Sequence, residues 1–334
     1  QTTSVCVLDA EGHVVRQAKV ESDPAEIAAL LRSVGGTFNR IGLEAGPLSE
    51  WLCGALVTAG FPVICVEARH MSAALSAQRN KTDRNDARGI AQMMRVGLYK
   101  PVHVKTLRSQ EIRMLLTTRR QMQAKLIDTE NILRSLLRNF GLKVGKTPRL
   151  QFEKRVRELL AHLPSLTIAV TPLLEIRAML YQQYRNLHAT VTRLANEDAT
   201  CRLLMTAPGV GPLVSLTYLT AVDQPARFRN SRAVAAHFGL TPARYQSGEV
   251  DRQGHLSKCG DAMVRWVLVE AAGALMRNNA KWSALKAWGM RVAQRRGKGR
   301  AVVAVARRLA VILHRMWLDG TPFAWSTADE SAPA

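Results

Sequence analysis

Between Leu107 and Phe140 the apolar residues recur at heptad spacing. Ile112, Leu126, Leu133 and Phe140 fall on one seam position, Leu115, Met122 and Leu136 on the other, and Arg119 and Thr129 interrupt them. No proline intervenes and Gly141 is a natural stop, so the pattern predicts one helix of roughly 34 residues, about 50 Å long. A second stretch carries Leu173, Ile176, Leu180, Leu187 and Leu194 at matching spacings. A Gly/Pro-punctuated linker (141–148) and a shorter helix, Phe152 to Leu163, lie between. The expectation is an antiparallel coiled-coil arm over 106–198, with an ordinary helical bundle as the alternative.

Ahead of this arm the period changes. Ser4-Val5-Cys6-Val7-Leu8, a turn at Asp9–Gly12 and a return through Val14-Val15 predict a hairpin. A helix from Pro24 to Leu31 and a strand ending Ile41-Gly42-Leu43-Glu44 follow. Then come a helix from about Leu48 to Thr58, closed by Gly60, and a strand Val63–Val66. Strand, helix, strand at this length is a βαβ unit, so 1–105 should form a mixed sheet with helices on its faces.

After the arm, 199–324 reads as mostly helical. A helix, the turn Pro208-Gly209-Val210-Gly211 and a second helix, Leu213 to Thr220, resemble a helix–hairpin–helix. Asn230-Ser231 caps a helix from Arg232 to Phe238. A polar loop from Gly239 leads into a helix from Ala262 to Met276. Beyond Asn279 the chain is helical and basic, with Val302, Val303, Val305, Ala306, Leu309, Ile312 and Leu313 as its buried stripe. A disordered tail (325–334) is expected.

Composition narrows the function. A chain of 334 residues is long enough for two domains. Its 47 basic and 26 acidic side chains leave a net charge of +21, and the pI is near 10.6, which calls for a polyanionic partner, nucleic acid first. No apolar run reaches the ~20 residues of a membrane span; Arg307 and Arg308 break the most apolar late stretch. Cys6, Cys53, Cys65, Cys201 and Cys259 have no zinc-ligand spacing and read as small core residues of a reducing compartment. No secretory signal opens the sequence, and a cytoplasmic location is expected.

The sharpest candidate chemistry is Lys81-Thr82-Asp83-Arg84-Asn85-Asp86-Ala87. Thr82 reads as an N-cap, and Asp83 and Asp86, three apart, would share one helix face. Acidic residues in a first turn can equally serve only the helix dipole. Glu44, at the carboxyl end of a buried-looking strand, adds a third carboxylate. Three carboxylates meeting in one place need a cation, and two magnesium ions clamping a phosphodiester are the standard use of such a cluster. Farther on, Gly209 and Gly211 could bare backbone N–H groups to a phosphate, although a plain turn explains them too. Ser247 stands before a glycine among Arg244, Arg252, His255 and Lys258, a setting for a nucleophile with cations beside it; Ser257 is the second choice, and a mere turn is the bland reading. Arg295, Arg296, Lys298 and Arg300 read as a phosphate-contacting turn.

A hairpin, then Gly-Leu-Glu-Ala-Gly, then Lys-Thr-Asp-Arg-Asn-Asp-Ala resembles the RuvC-like, ribonuclease-H-type domain of the DEDD transposases of bacterial insertion sequences. That is the family of the Piv DNA invertase and the bridge-RNA-guided recombinases. The later Ser-Gly stretch is similar to that family's second, transposase-specific domain, and Asp319-Gly320-Thr321-Pro322-Phe323 to its closing motif. The resemblance implies magnesium bound by Glu44, Asp83 and Asp86, with Ser247 as the nucleophile of a phosphoserine link. It also implies donor and target DNA, a guiding non-coding RNA, a homodimer or homotetramer assembled through the arm, and a composite site between protomers. The family's first aspartate lies in a Gly-Ile-Asp strand just ahead of the residues with which this chain begins; Asp9, in the hairpin turn, is not its equivalent. Two rivals stay open: a RuvC-like nuclease using metal-activated water, and a nucleic-acid binder without catalysis.

Overall fold

The computed structural model describes residues 1–76, 80–277 and 281–325. The expected tail falls outside the described residues except for Trp325. The chain is a mixed α/β protein of small sheets and many helices, divided into two compact units, Gln1–Thr106 and Leu107–Ala334.

The first unit opens with strands β1 (Thr2–Leu8) and β2 (Val14–Glu21), antiparallel from Thr2 opposite Glu21 to Leu8 opposite Val14. Helix α1 (Pro24–Val34) starts where Asp23 accepts the Ala25 N–H at 2.8 Å, ahead of a proline already fit for a first turn. Strand β3 (Ile41–Glu44), helix α2 (Ser49–Thr58) and strand β4 (Val63–Val66) form the expected βαβ unit, with β3 and β4 parallel and in register. Helices α3 (Ala68–Leu75) and α4 (Asp83–Arg95) complete the unit. Ile27, Leu31, Leu52 and Leu56 pack α1 and α2 against apolar side chains of the strands, while Met71, Met93 and Met94 form a second cluster with Val66. β4 is the strand with buried residues, Cys65 and Val66, whereas β2 carries Arg16, Gln17 and Lys19 and is half exposed.

The second unit begins with α5 (Leu107–Arg138), about 48 Å at 1.5 Å per residue. After a loop, α6 (Phe152–Leu160) leads into α7 (Pro164–Glu197), which runs antiparallel to α5: Arg119 meets Tyr184 and His188, and Glu130 meets Arg177. One predicted seam row of α5 is buried as expected at Ile112, Leu126 and Leu133, while the second is shifted by one residue, to Leu116, Glu130 and Leu137. On α5 the buried residues are Ser109, Ile112, Leu116, Arg119, Leu126, Thr129, Glu130, Leu133 and Leu137, whereas Leu136 and Phe140 are 44% and 62% exposed. On α7 they are Val170, Leu174, Arg177, Val191 and Ala195, one residue off the predicted row, and Ile176 is exposed. The predicted interruption at Arg119 is a seam position filled by a polar side chain that finds its partners across the pair. Pro172, a helix-start residue by rule, lies inside α7.

Helices α8 (Ala199–Leu204), α9 (Pro212–Val222) and α10 (Ser231–His237) follow. Then come strands β5 (Pro242–Ser247) and β6 (Val250–Leu256) and helices α11 (Ala262–Leu275), α12 (Ala284–Arg296) and α13 (Lys298–Asp319). Val214, Tyr218, Val234, Phe238, Val264, Leu268, Leu309 and Leu313 form the centre of one large core. Inside it the Tyr218 hydroxyl donates to the Ala310 carbonyl at 2.7 Å. Of the cysteines, Cys53, Cys65 and Cys201 are buried as expected, but Cys259 is exposed. No helix of the described residues is long and apolar enough to cross a membrane.

Candidate catalytic and nucleic-acid-binding sites

Helix α4 begins where the sequence places it, because the Thr82 hydroxyl accepts the Asn85 N–H at 3.2 Å. Asp83 and Asp86 consequently sit in its first turn, and Glu44 closes β3 opposite Val66. Farther along, α4 lies so close to β3 that a Cβ on Gly42 would come within 2.6 Å of Met94 Cγ. All three carboxylate residues line one cavity of about 620 Å³ whose walls include the whole of β3 and most of β1. A smaller adjoining cavity is lined by Glu44, Asp86, Ser72, Ser76 and Lys81. Burial, and after it the charge of Asp86, pushes the Glu44 carboxyl above the usual range, while Lys81 pulls the other way. Lys81 is a site residue to which sequence reasoning gave no role, although it opens the quoted motif.

The donor set suits a hard cation in kind: all oxygen, with the charge of Asp86 disfavouring that of Glu44. It is not closed in geometry. Among the described residues no three acidic, histidine or cysteine side chains gather as tightly as a metal ion requires.

The predicted polar loop around Ser247 is a β-hairpin. Ser247 ends β5 and faces Val250 across the two-residue turn Gly248-Glu249, so its hydroxyl stands at an exposed tip. Arg244 is not a free cation: it holds Asp251 in a fork at 2.8 and 2.6 Å. Arg252, His255 and Lys258 are exposed and have no carboxylate partner among the described residues. Ser257 lies at the hairpin's base, where its N–H donates to the Thr241 carbonyl at 3.0 Å.

The base is a tight neck. Side chains at Gly239 and Gly260 would strike the backbone of Cys259 and of His237, so these two glycines let the incoming and outgoing segments cross in contact. The Arg265 guanidinium fastens the crossing, donating to the carbonyls of Phe238 at 3.2 Å and Gly260 at 3.1 Å and to that of Cys259. Next to it Asp261 caps α11 with one oxygen and takes Arg113 of α5 at 2.5 Å with the other.

Gly209 has a packing reason of its own: a Cβ there would collide with the Ala271 carbonyl. Gly211 is the N-cap of α9, with open space where a Cβ would be. Arg295 and Arg296 end α12, Gly297 turns the chain, and Lys298 and Arg300 open α13; all four cations are exposed. The structure thus brings Glu44, Asp83 and Asp86 to one cavity. It places Ser247, Arg252, His255 and Lys258 on one hairpin and its base, and the four late cations on one turn.

The class of protein to which this chain belongs, a transposase, is given by its comparisons with known proteins. Residues 1–141 match the family profile of the DEDD transposases of the IS110 type, and residues 201–287 match the one described as "Transposase IS116/IS110/IS902 family". The chain is 28% identical over 92% of its length, and 85% of the relative's, to the transposase for insertion sequence element IS1111A of Coxiella burnetii. It is 28% identical to a probable family 20 transposase of Pseudomonas aeruginosa, over 70% of this chain and 71% of that one. A third relative, a putative transposase of Sinorhizobium fredii, is 27% identical over 74% of this chain and 65% of its own. The chain belongs to the IS110-type family of insertion-sequence transposases.

Proposed function

We propose that this transposase cuts and rejoins donor and target DNA through a link to Ser247, assisted by magnesium held at Glu44, Asp83 and Asp86. The observation that carries the reading is the shared cavity in which burial and Asp86 disfavour the charge of Glu44, beside Asp83. In the first step the Ser247 oxygen forms a bond to phosphorus while a bridging P–O bond of the DNA breaks. The serine proton is lost, and the leaving DNA oxygen takes one up. A divalent ion, when bound, would offset charge on the phosphate oxygens. Arg252 and Lys258 would hold the phosphate, with Gly211 and the Arg295–Arg300 turn contacting DNA farther away.

The RuvC-like reading of the first unit is supported by its strand edges. Among the described residues β1 pairs only with β2, and β3 only with β4, yet both line the same cavity. The late part of α4 touches the end of β1, where Arg95 donates to the Ala10 carbonyl at 3.2 Å, and also packs on β3 at Gly42. Its first turn lies with Glu44 at the end of β3. The two edges therefore run in opposite directions. One further strand between them, parallel to β3, would complete a five-stranded mixed sheet and deliver its carboxyl end to the acidic group. A fourth carboxylate on that strand would close the metal site. The α5–α7 pair serves in this proposal as a coiled-coil arm for assembly into a dimer or tetramer, and a non-coding RNA is the guide.

A second reading, cleavage by metal-activated water, draws on the exposed Ser247 hydroxyl, which has no side-chain partner among the described residues. Strand exchange on the element's own junction DNA separates the two. Exchange by a Ser247→Ala protein would sink the serine assignment. Exchange by Asp83→Ala or Asp86→Ala, or with no divalent ion present, would remove the metal role.

A further inference from the structure

The Ser247 hairpin has two unlike faces. The register sets Tyr245 opposite Arg252 and Ser247 opposite Val250, and strand alternation puts these four on one face. On the other face Gln246 lies opposite Asp251, and Arg244 neutralises Asp251. The serine's face has no such internal pairing. Tyr245 is 69% exposed, its ring edge over Gly254, where a Cβ would come within 3.0 Å of Cε2; Val250 is 50% exposed, and Arg252 has no carboxylate partner among the described residues. A large aromatic ring and an aliphatic side chain left exposed beside a cation are an unfavourable surface for a hairpin on which no other described element packs there.

We propose that Tyr245 stacks on an unpaired DNA base next to the phosphate that Ser247 attacks, with Val250 wedged against the neighbouring step and Arg252 on the phosphate. The position of the attacked phosphate rests on the Ser247 reading above; the stacking itself does not. An aromatic face accepts any base, but only one out of its helical stack. The net charge of +21 makes the polyanion the natural occupant of this face. The neck at Gly239, Gly260 and Arg265 fixes the direction in which the ring is offered. The ligand class is thus DNA with unpaired bases at the cleavage point, not intact duplex.

The test is equilibrium binding by the full chain carrying Ser247→Ala, read by fluorescence anisotropy at low salt. The probes are a short labelled mixed-sequence DNA strand, its duplex and the RNA strand of the same sequence. Adding Tyr245→Ala should weaken single-stranded DNA binding about tenfold, and Tyr245→Phe should hold it within about twofold. Duplex binding should stay unchanged in both. In a second measurement, DNA containing 5-iodouracil should cross-link to Tyr245 in the parent protein. Unchanged single-strand binding, an equal loss on duplex, or a loss confined to RNA would overturn the proposal. Because Ser247→Ala cannot form a link to DNA, failure here leaves the nucleophile untouched. Stacking by a protein whose wild type forms no adduct would instead remove the nucleophile and leave Tyr245.

Discussion

Glu130 of α5 and Arg177 of α7 form a buried ion pair at 2.8 Å, with Arg177 also donating to the Arg149 carbonyl at 2.6 Å. The Arg177 guanidinium lies 4.7 Å from the centre of the Phe152 ring, so one cation ties together both long helices and the linker between them. Removing the acid strands that cation in a site closed to water. Glu130→Ala should cost about 3–5 kcal/mol, and Glu130→Leu with Arg177→Met should recover most of it. Denaturant unfolding measures both; equal losses in the single and double variants would contradict the pairing.

The acidic cavity predicts a stabilising response to metal. Burial and the charge of Asp86 disfavour the charge of Glu44, and a divalent cation relieves this. Magnesium should therefore raise the melting temperature of the protein, and Glu44→Gln should raise it without magnesium and shrink the magnesium increment. An increment of the same size in Glu44→Gln would place the ion elsewhere.

His314 sets an acid limit on the second unit. Its Nε2–H donates to the Pro225 carbonyl at 2.9 Å, and its Nδ1 accepts from Ser231 at 3.0 Å. Burial, the largest influence, holds its pKa below the usual histidine value; the Pro225 bond opposes this and the Arg227 charge adds to it. The neutral ring's contribution is fully present above about pH 6.5 and is lost as pH falls through the depressed folded value. Melting temperature should drop on acidification below about pH 6.5, and less steeply in His314→Gln. Parallel pH profiles would exclude His314 as the cause.

The hairpin neck predicts a sharp glycine effect. Gly260 has φ 65° and no room for a Cβ beside the His237 carbonyl. Gly260→Ala should loosen the crossing and cost more than about 1 kcal/mol, exposing the 242–256 hairpin to proteolysis while the α5–α7 pair around Glu130 and Arg177 keeps its resistance. Because Arg113 of α5 meets Asp261 beside the neck, the comparison is with that far end of the pair. Hairpin cleavage rates unchanged from wild type would show that the neck does not hold the hairpin.

Much of the first unit was legible because its signals are local. The β1–β2 alternation, the βαβ punctuation and the Thr82 cap each act within a few residues. Glu44, Asp83 and Asp86 could be paired with one another only because the strand end and the helix start were both readable. The α5–α7 pair was legible in length and in one seam row of α5, Ile112, Leu126 and Leu133, but not in the second row or on α7. Arg119 looked like an interruption in one sequence, whereas Tyr184, His188 and Gln123 satisfy it. The β5–β6 hairpin was missed because both its faces are exposed, which leaves no alternation of apolar and polar residues to read. Tyr245 was hidden with it, since its place beside Ser247 exists only once the strands pair.

The most direct test of the central claim is covalent trapping. Nicked DNA carrying the element's own junction would be incubated with the protein, magnesium and the element's flanking transcript, then resolved on a denaturing gel. A protein–DNA adduct should form and should disappear with Ser247→Ala and with EDTA. Cleaved DNA without any adduct, or an adduct that survives Ser247→Ala, would contradict the claim.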